Sequence, residues 1–117
     1  MASPQPDKFI RISNELWDEV IRSDFSKRQK DIILFIWRLS YGCQKRWAVI
    51  PMLKDFELCG VPATQVKGEL EYLEQCRVLK WDRENKTFEI LKNYDEWRIN
   101  PVRNWKKDRF KELLSAN

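Results

Sequence analysis

Leu53-Lys54-Asp55-Phe56-Glu57-Leu58-Cys59-Gly60-Val61-Pro62-Ala63-Thr64-Gln65-Val66-Lys67-Gly68-Glu69-Leu70-Glu71-Tyr72-Leu73 is the stretch whose reading decides the fold. Pro51, just upstream, suits the first turn of a helix that ends near Leu58. Cys59-Gly60-Val61 then makes a tight turn, and Pro62 opens a second helix that runs to about Gln75. Within that helix Val66, Leu70 and Leu73 fall at spacings of four and three, so they mark its inward face. Val78 to Asp82 and Thr87 to Leu91 follow as two strands, joined by the polar connection Arg83-Glu84-Asn85-Lys86. Helix, tight turn, helix and hairpin is the order of a winged helix-turn-helix. In such a unit the second helix of the pair can enter a major groove, while the hairpin touches flanking phosphate or the minor groove. The expected class is mainly α with a small β-hairpin (α+β), a winged helix-turn-helix with an extra C-terminal helix.

Upstream, Met1 to Asp7 with Pro4 and Pro6 reads as a disordered lead-in, and Phe9 to Ile12 alternates as an extended segment does. A first helix starts at Ser13 or Asn14 and runs to about Arg22, with Leu16, Val20, Trp17 and Ile21 as its expected buried stripe. Ser26-Lys27-Arg28-Gln29 is a capping box, which starts a helix from Lys27 to about Ser40. Ile32-Ile33-Leu34-Phe35-Ile36-Trp37 is apolar on nearly every face, so this helix is expected to be central. Gly42 stands where its stop belongs, and Trp47 to Ile50 is a short strand candidate. A last helix is expected over Trp105 to Leu114, with Phe110, Leu113 and Leu114 on one face that needs cover. The expected organisation is a lead-in over 1–8, a winged helix-turn-helix over 9–97 and a basic helical extension over 98–117.

Composition narrows the function. The chain has 117 residues, 43% hydrophobic, with a net charge of +4 and no histidine, which fits one globular domain. Without histidine there is no Ser-His-Asp or Cys-His triad and no His-ligated metal. No phosphate-cradling glycine loop or calcium loop occurs either. The expectation is a binding module, not an enzyme, with no cofactor. No apolar run is long enough for a membrane span, and the start lacks the apolar stretch of a signal peptide. Cys43, Cys59 and Cys76 form no CxxC pair, which fits reduced, mostly buried thiols and a cytoplasmic setting. Positive charge gathers at both ends: residues 1–50 carry 9 basic against 6 acidic groups, and residues 98–117 carry 6 against 2. Residues 51–76 carry 2 against 5, so an anion-binding surface draws on the first and last segments.

Two longer runs carry a resemblance. Phe9-Ile10-Arg11-Ile12-Ser13-Asn14-Glu15-Leu16 and Ile36-Trp37-Arg38-Leu39-Ser40-Tyr41-Gly42 resemble the N-terminal domain of phage replication O proteins, the lambda-type replication initiators. Phe56-Glu57-Leu58-Cys59-Gly60-Val61, Glu69-Leu70-Glu71-Tyr72-Leu73 and Tyr94-Asp95-Glu96-Trp97-Arg98 are similar to the versions found in phages and prophages of Gram-positive bacteria. The likeness spans roughly residues 9 to 114. It implies a winged-helix domain that binds double-stranded origin DNA in the bacterial host cytoplasm and helps recruit replication machinery. Longer members carry a further C-terminal region that engages the helicase or its loader, and the resemblance implies that this chain stops near where that region begins.

The candidate DNA-binding residues fall into three groups. Thr64, Gln65 and Lys67 lie on the second helix of the pair, away from its apolar face, and suit base edges or phosphate. Its other charges are Glu69, Glu71 and Glu74, which equally suit a solvated or protein-binding face. Arg28, Lys45 and Arg46 belong to a run, residues 27–46, with 6 basic groups and 1 acidic, and such groups neutralise phosphates. Lys80, Arg83 and Lys86 sit on the hairpin, where an arginine at the tip can enter a narrow minor groove. Asp82, Glu84 and Glu89 are interleaved with them, the usual pattern of an exposed strand pair. Arg38, inside the apolar helix, is expected to bridge carboxylate or carbonyl groups near the core. Trp17, Trp37 and Trp97 fit core positions. Trp47, Trp81 and Trp105, each beside a base, either stack single-stranded nucleic acid or pack under Lys and Arg stems. The alternative function is a protein-interaction or oligomerisation module of a replisome-organising protein, with weak or no DNA binding.

Overall fold

A computed structural model describes residues 8–117; the expected lead-in, up to Asp7, lies outside the described residues. Helix α1 spans Asn14–Arg22, with the Ser13 hydroxyl accepting from the Leu16 N–H at 3.2 Å. Helix α2 spans Lys27–Leu39 and opens with the full capping box: Ser26 Oγ accepts from the Gln29 N–H, and Gln29 Oε1 accepts from the Ser26 N–H. Strand β1 is Ala48–Val49, and a 3-10 segment follows over Leu53–Cys59. Helix α3 spans Ala63–Gln75, strands β2 and β3 are Leu79–Asp82 and Thr87–Ile90, and α4 spans Lys107–Ala116.

This is the expected α+β winged-helix class, with one enlargement. Strand β1 pairs antiparallel with β3 through Ala48 and Phe88, so the hairpin becomes a three-stranded sheet in the order β1-β3-β2. The helix expected to end near Leu58 is a 3-10 segment instead. Leu53, Phe56 and Cys59 are three apart, a spacing that stacks on one side at three residues per turn. Phe56 is fully buried there, while Leu58 is 83% exposed. Gly60, at φ +91°, ends the segment in a left-handed turn that an L side chain resists.

The core lies between α2, α3 and the sheet: Ile32, Ile33, Ile36, Val66, Leu70, Leu73, Phe88 and Ile90 are all buried. An aromatic series crosses it. Phe35 meets Phe56 at 5.4 Å, Phe56 meets Phe88 at 5.3 Å, and Phe88 stacks on Trp81 at 5.6 Å between centroids. Three expectations about burial are corrected. On α1 only Leu16 is buried; Ile21 is exposed, and Trp17 lies 47% exposed, stacked on Trp37 at 5.9 Å. On α2 Leu34 is also exposed, lining an open concavity with Ile10, Ile12, Trp17 and Trp37. The thiols are not mostly buried: Cys43 is exposed, Cys59 is half-buried and only Cys76 is buried.

Residues after β3 strap the body together. The Trp97 indole N–H donates to the Leu91 carbonyl at 3.1 Å, and Trp97 meets Phe25 edge-on at 6.1 Å. The Arg98 N–H donates to the Cys76 carbonyl, the Asp24 N–H to that of Asn100, and the Val102 N–H to that of Arg22. Beyond the strap α4 holds no buried residue. Phe110 leans on Trp105 at 5.1 Å, and Leu113 and Leu114 stay exposed, so the face expected to need cover is mostly open.

Candidate nucleic-acid interface

Helix α3 turns Val66, Leu70 and Leu73 into the core, so helical geometry sends Thr64, Gly68 and Gln75 to the opposite side. Thr64, Gln65, Lys67 and Gly68 are all exposed. A Cβ added at Gly68 would meet nothing within 4 Å, so this stretch of helix backbone is bare. The tail does not cover it: Trp105, Phe110 and Leu114 share a concavity with Asp18, Glu19 and Arg22 of α1 instead.

The carboxylates on α3 have distinct positions. Glu74 accepts both guanidinium N–H groups of Arg83, at 2.8 and 3.1 Å. The same guanidinium lies 3.9 Å from the Trp81 ring centroid. Arg83 was expected as a minor-groove group at the hairpin tip; its guanidinium is occupied by Glu74, and the pair braces the hairpin against the end of α3. That pairing also removes one of the three acidic groups from the account of α3 as a repulsive surface.

The hairpin tip is built locally. The Asp82 carboxylate accepts from the Glu84 N–H, the Asn85 N–H and the Asn85 side-chain amide. These bonds, led by that of the Asn85 backbone, hold the Asp82 carboxyl below the usual carboxylate range. Lys86 closes the turn at φ 56° and is exposed.

Arg46 and Lys80 come together. Along with Trp47, Asp82, Asn85, Thr87 and Glu89 they line a concavity of about 290 Å³ on the sheet. Arg46 contacts Glu89 at 3.3 Å and lies 5.6 Å from the Trp47 ring centroid, while Lys80 stands opposite Glu89 across the ladder. Lys45 is not in that group. It lines a different and larger concavity with Arg11 and Lys92, two cations that sequence reasoning passed over. Arg28 is exposed in the first turn of α2, and no hydrogen bond or ion pair among the described residues joins it to α3 or the hairpin. Arg38 donates to the Gly42 carbonyl at 3.4 Å but is exposed, so it braces the end of α2 from outside.

A family model described as bacteriophage replication protein O matches residues 2–97. The chain belongs to that family. Membership ties it to phage DNA replication, and the matched span takes in both helices of the pair, the sheet and Trp97 of the strap. No curated protein and no solved structure matches the chain significantly. Among the described residues no helix is long and apolar enough to cross a membrane, and no cluster of three or more Cys, Asp or Glu is placed to hold a metal ion.

Proposed function

We propose that this member of the replication protein O family is a non-enzymatic module that binds double-stranded origin DNA in the cytoplasm of a bacterial host and helps recruit a helicase or its loader. The observation that carries the reading is the uncovered outer side of α3 at Thr64, Gln65 and Gly68, together with the basic groups Arg46 and Lys80 on the sheet. In this reading α3 enters the major groove. Thr64 and Gln65 hydrogen-bond base edges, and Lys67 contacts phosphate or guanine. Arg28, Lys45, Arg46, Lys80 and Lys86 neutralise phosphates, and Arg83 contributes by holding the hairpin at its angle to α3.

Gel-shift titration against the phage's own origin and a random duplex, at two salt concentrations, tests it. Origin preference with a steep salt dependence is the expected result. Lys45→Ala with Arg46→Ala should weaken binding to every duplex and lower the salt slope by about 1 per lost phosphate contact. Gln65→Ala should relax preference at one base pair by about 1–3 kcal/mol. Equal losses on specific and random DNA for Gln65→Ala reject its role as a base reader. The half-exposed Leu113 and Leu114 on α4 favour a second reading, an assembly module with little DNA affinity. Absence of binding at low salt selects that one.

A further inference from the structure

A concavity of about 610 Å³ lies between the extended segment 9–13, the start of α1 and the loop after α2. That is the size of a site for one small organic ligand, about 300–1,000 Å³. Its lining includes three cations, Arg11, Lys45 and Lys92, and no carboxylate. None of the three forms an ion pair among the described residues. Glu15, the acidic group in the first turn of α1, has its carboxylate engaged by the Tyr94 hydroxyl at 2.9 Å. Ser13, the cap of α1, is also in the lining, so the positive end of that helix adds to the same field. Three like charges around one cavity repel, and an anion between them relieves that repulsion.

The rest of the lining says what kind of anion. Phe9 and Tyr41 contribute aromatic rings, each with a cation near it: Arg11 is 5.2 Å from the Phe9 centroid and Lys92 is 5.5 Å from that of Tyr41. Phe9 is nonetheless 55% exposed, with ring surface free to stack, and Leu16 supplies an apolar wall. Cations beside aromatic rings in a groove are the chemistry that holds an unpaired nucleotide, base on ring and phosphate on base-pair-independent charge. We infer that this pocket binds one unpaired nucleotide, its phosphate among Arg11, Lys45 and Lys92 and its base against Phe9. Such a ligand arrives either within a single DNA strand or as a free nucleoside phosphate. The site shares only Lys45 with the proposed duplex surface and does not depend on that surface.

The test uses the full chain and fluorescence anisotropy with labelled single-stranded DNA of about 20 nucleotides, mixed in sequence, and with a random duplex of the same length. The wild type should bind the single strand. Arg11→Ala with Lys92→Ala should weaken that binding by about tenfold or more, and Phe9→Ala by about fivefold or more, with duplex affinity little changed. All three side chains are exposed, so melting temperatures close to the wild type verify that the variants are folded. Competition with dTTP distinguishes the sources: displacement of the strand identifies the free nucleotide as a sufficient ligand, and no displacement identifies the strand. Overturning results are a variant that binds the single strand as the wild type does, a parallel loss on the duplex, or a wild type that binds neither strand nor dTTP. Loss of the duplex reading alone would look different: no duplex binding, with single-strand binding still dependent on Arg11 and Lys92.

Discussion

Replacing Gly68 with alanine sets stability against binding in one residue. Gly68 lies in the interior of α3 with helical backbone, and the added methyl would meet nothing within 4 Å, so no clash offsets the gain in helix propensity. That gain is about 0.8–1 kcal/mol. Unfolding entropy of about 2.1 cal/mol/K per residue over 117 residues gives about 0.25 kcal/mol/K, so Tm should rise by about 3–4 °C. Binding should move the other way. If α3 lies in a groove, the methyl stands between the bare backbone and the DNA, and affinity should fall several-fold. Thermal unfolding by circular dichroism reads the first effect, and anisotropy with origin duplex reads the second. A higher Tm with unchanged or tighter DNA binding would refute the assignment of this side of α3 to the groove. A lower Tm would instead refute the claim that the position is an open helix interior.

Three further outcomes are expected. Gly60→Ala should cost about 1–2 kcal/mol in chemical denaturation, because φ +91° is strained for an L residue even though its Cβ would meet no neighbour; a neutral result removes the turn's dependence on glycine. Arg77→Gly should stabilise by about 1 kcal/mol, since Arg77 holds the left-handed position (φ 59°) after α3, where the Val78 N–H donates to the Leu73 carbonyl and the Arg77 N–H to that of Glu74. Asp82 should titrate below the unfolded value of about 3.9, because its bonds favour the ionised form. Its contribution to the hairpin tip is therefore complete above about pH 4 and is lost as pH falls through the folded value. The amide shifts of Glu84 and Asn85 in an acid titration report this, and a transition at or above the ordinary carboxylate range contradicts it.

Features held by neighbours in the chain were legible without coordinates. The Ser26–Gln29 capping box and the Asp82-to-Thr87 hairpin rest on contacts within a few residues, and the Val66, Leu70 and Leu73 stripe on the period of one helix. The exposure of Trp17 and Leu34 was not legible, because an apolar residue on a helix is buried only if another element arrives to cover it. The third strand was half visible: Trp47 to Ile50 read as extended, but nothing local says that Ala48 finds Phe88.

Among the site residues, the place of Thr64, Gln65 and Lys67 off the apolar stripe follows from the period of one helix, while the absence of any cover over them is a result of the packing. The tie between Arg83 and Glu74 does not, since it joins a hairpin tip to a helix. The cation pocket is the extreme case. Phe9 and Lys92 are far apart in the chain, and they share a wall only after the segment that follows β3 has crossed to the N-terminal side. The order of the elements comes from short-range backbone and side-chain preferences, which the sequence carries, although the segment before Gly60 took the 3-10 rather than the α form. Which charges end up side by side depends on long-range packing of the core, and that is settled only when the chain closes on itself.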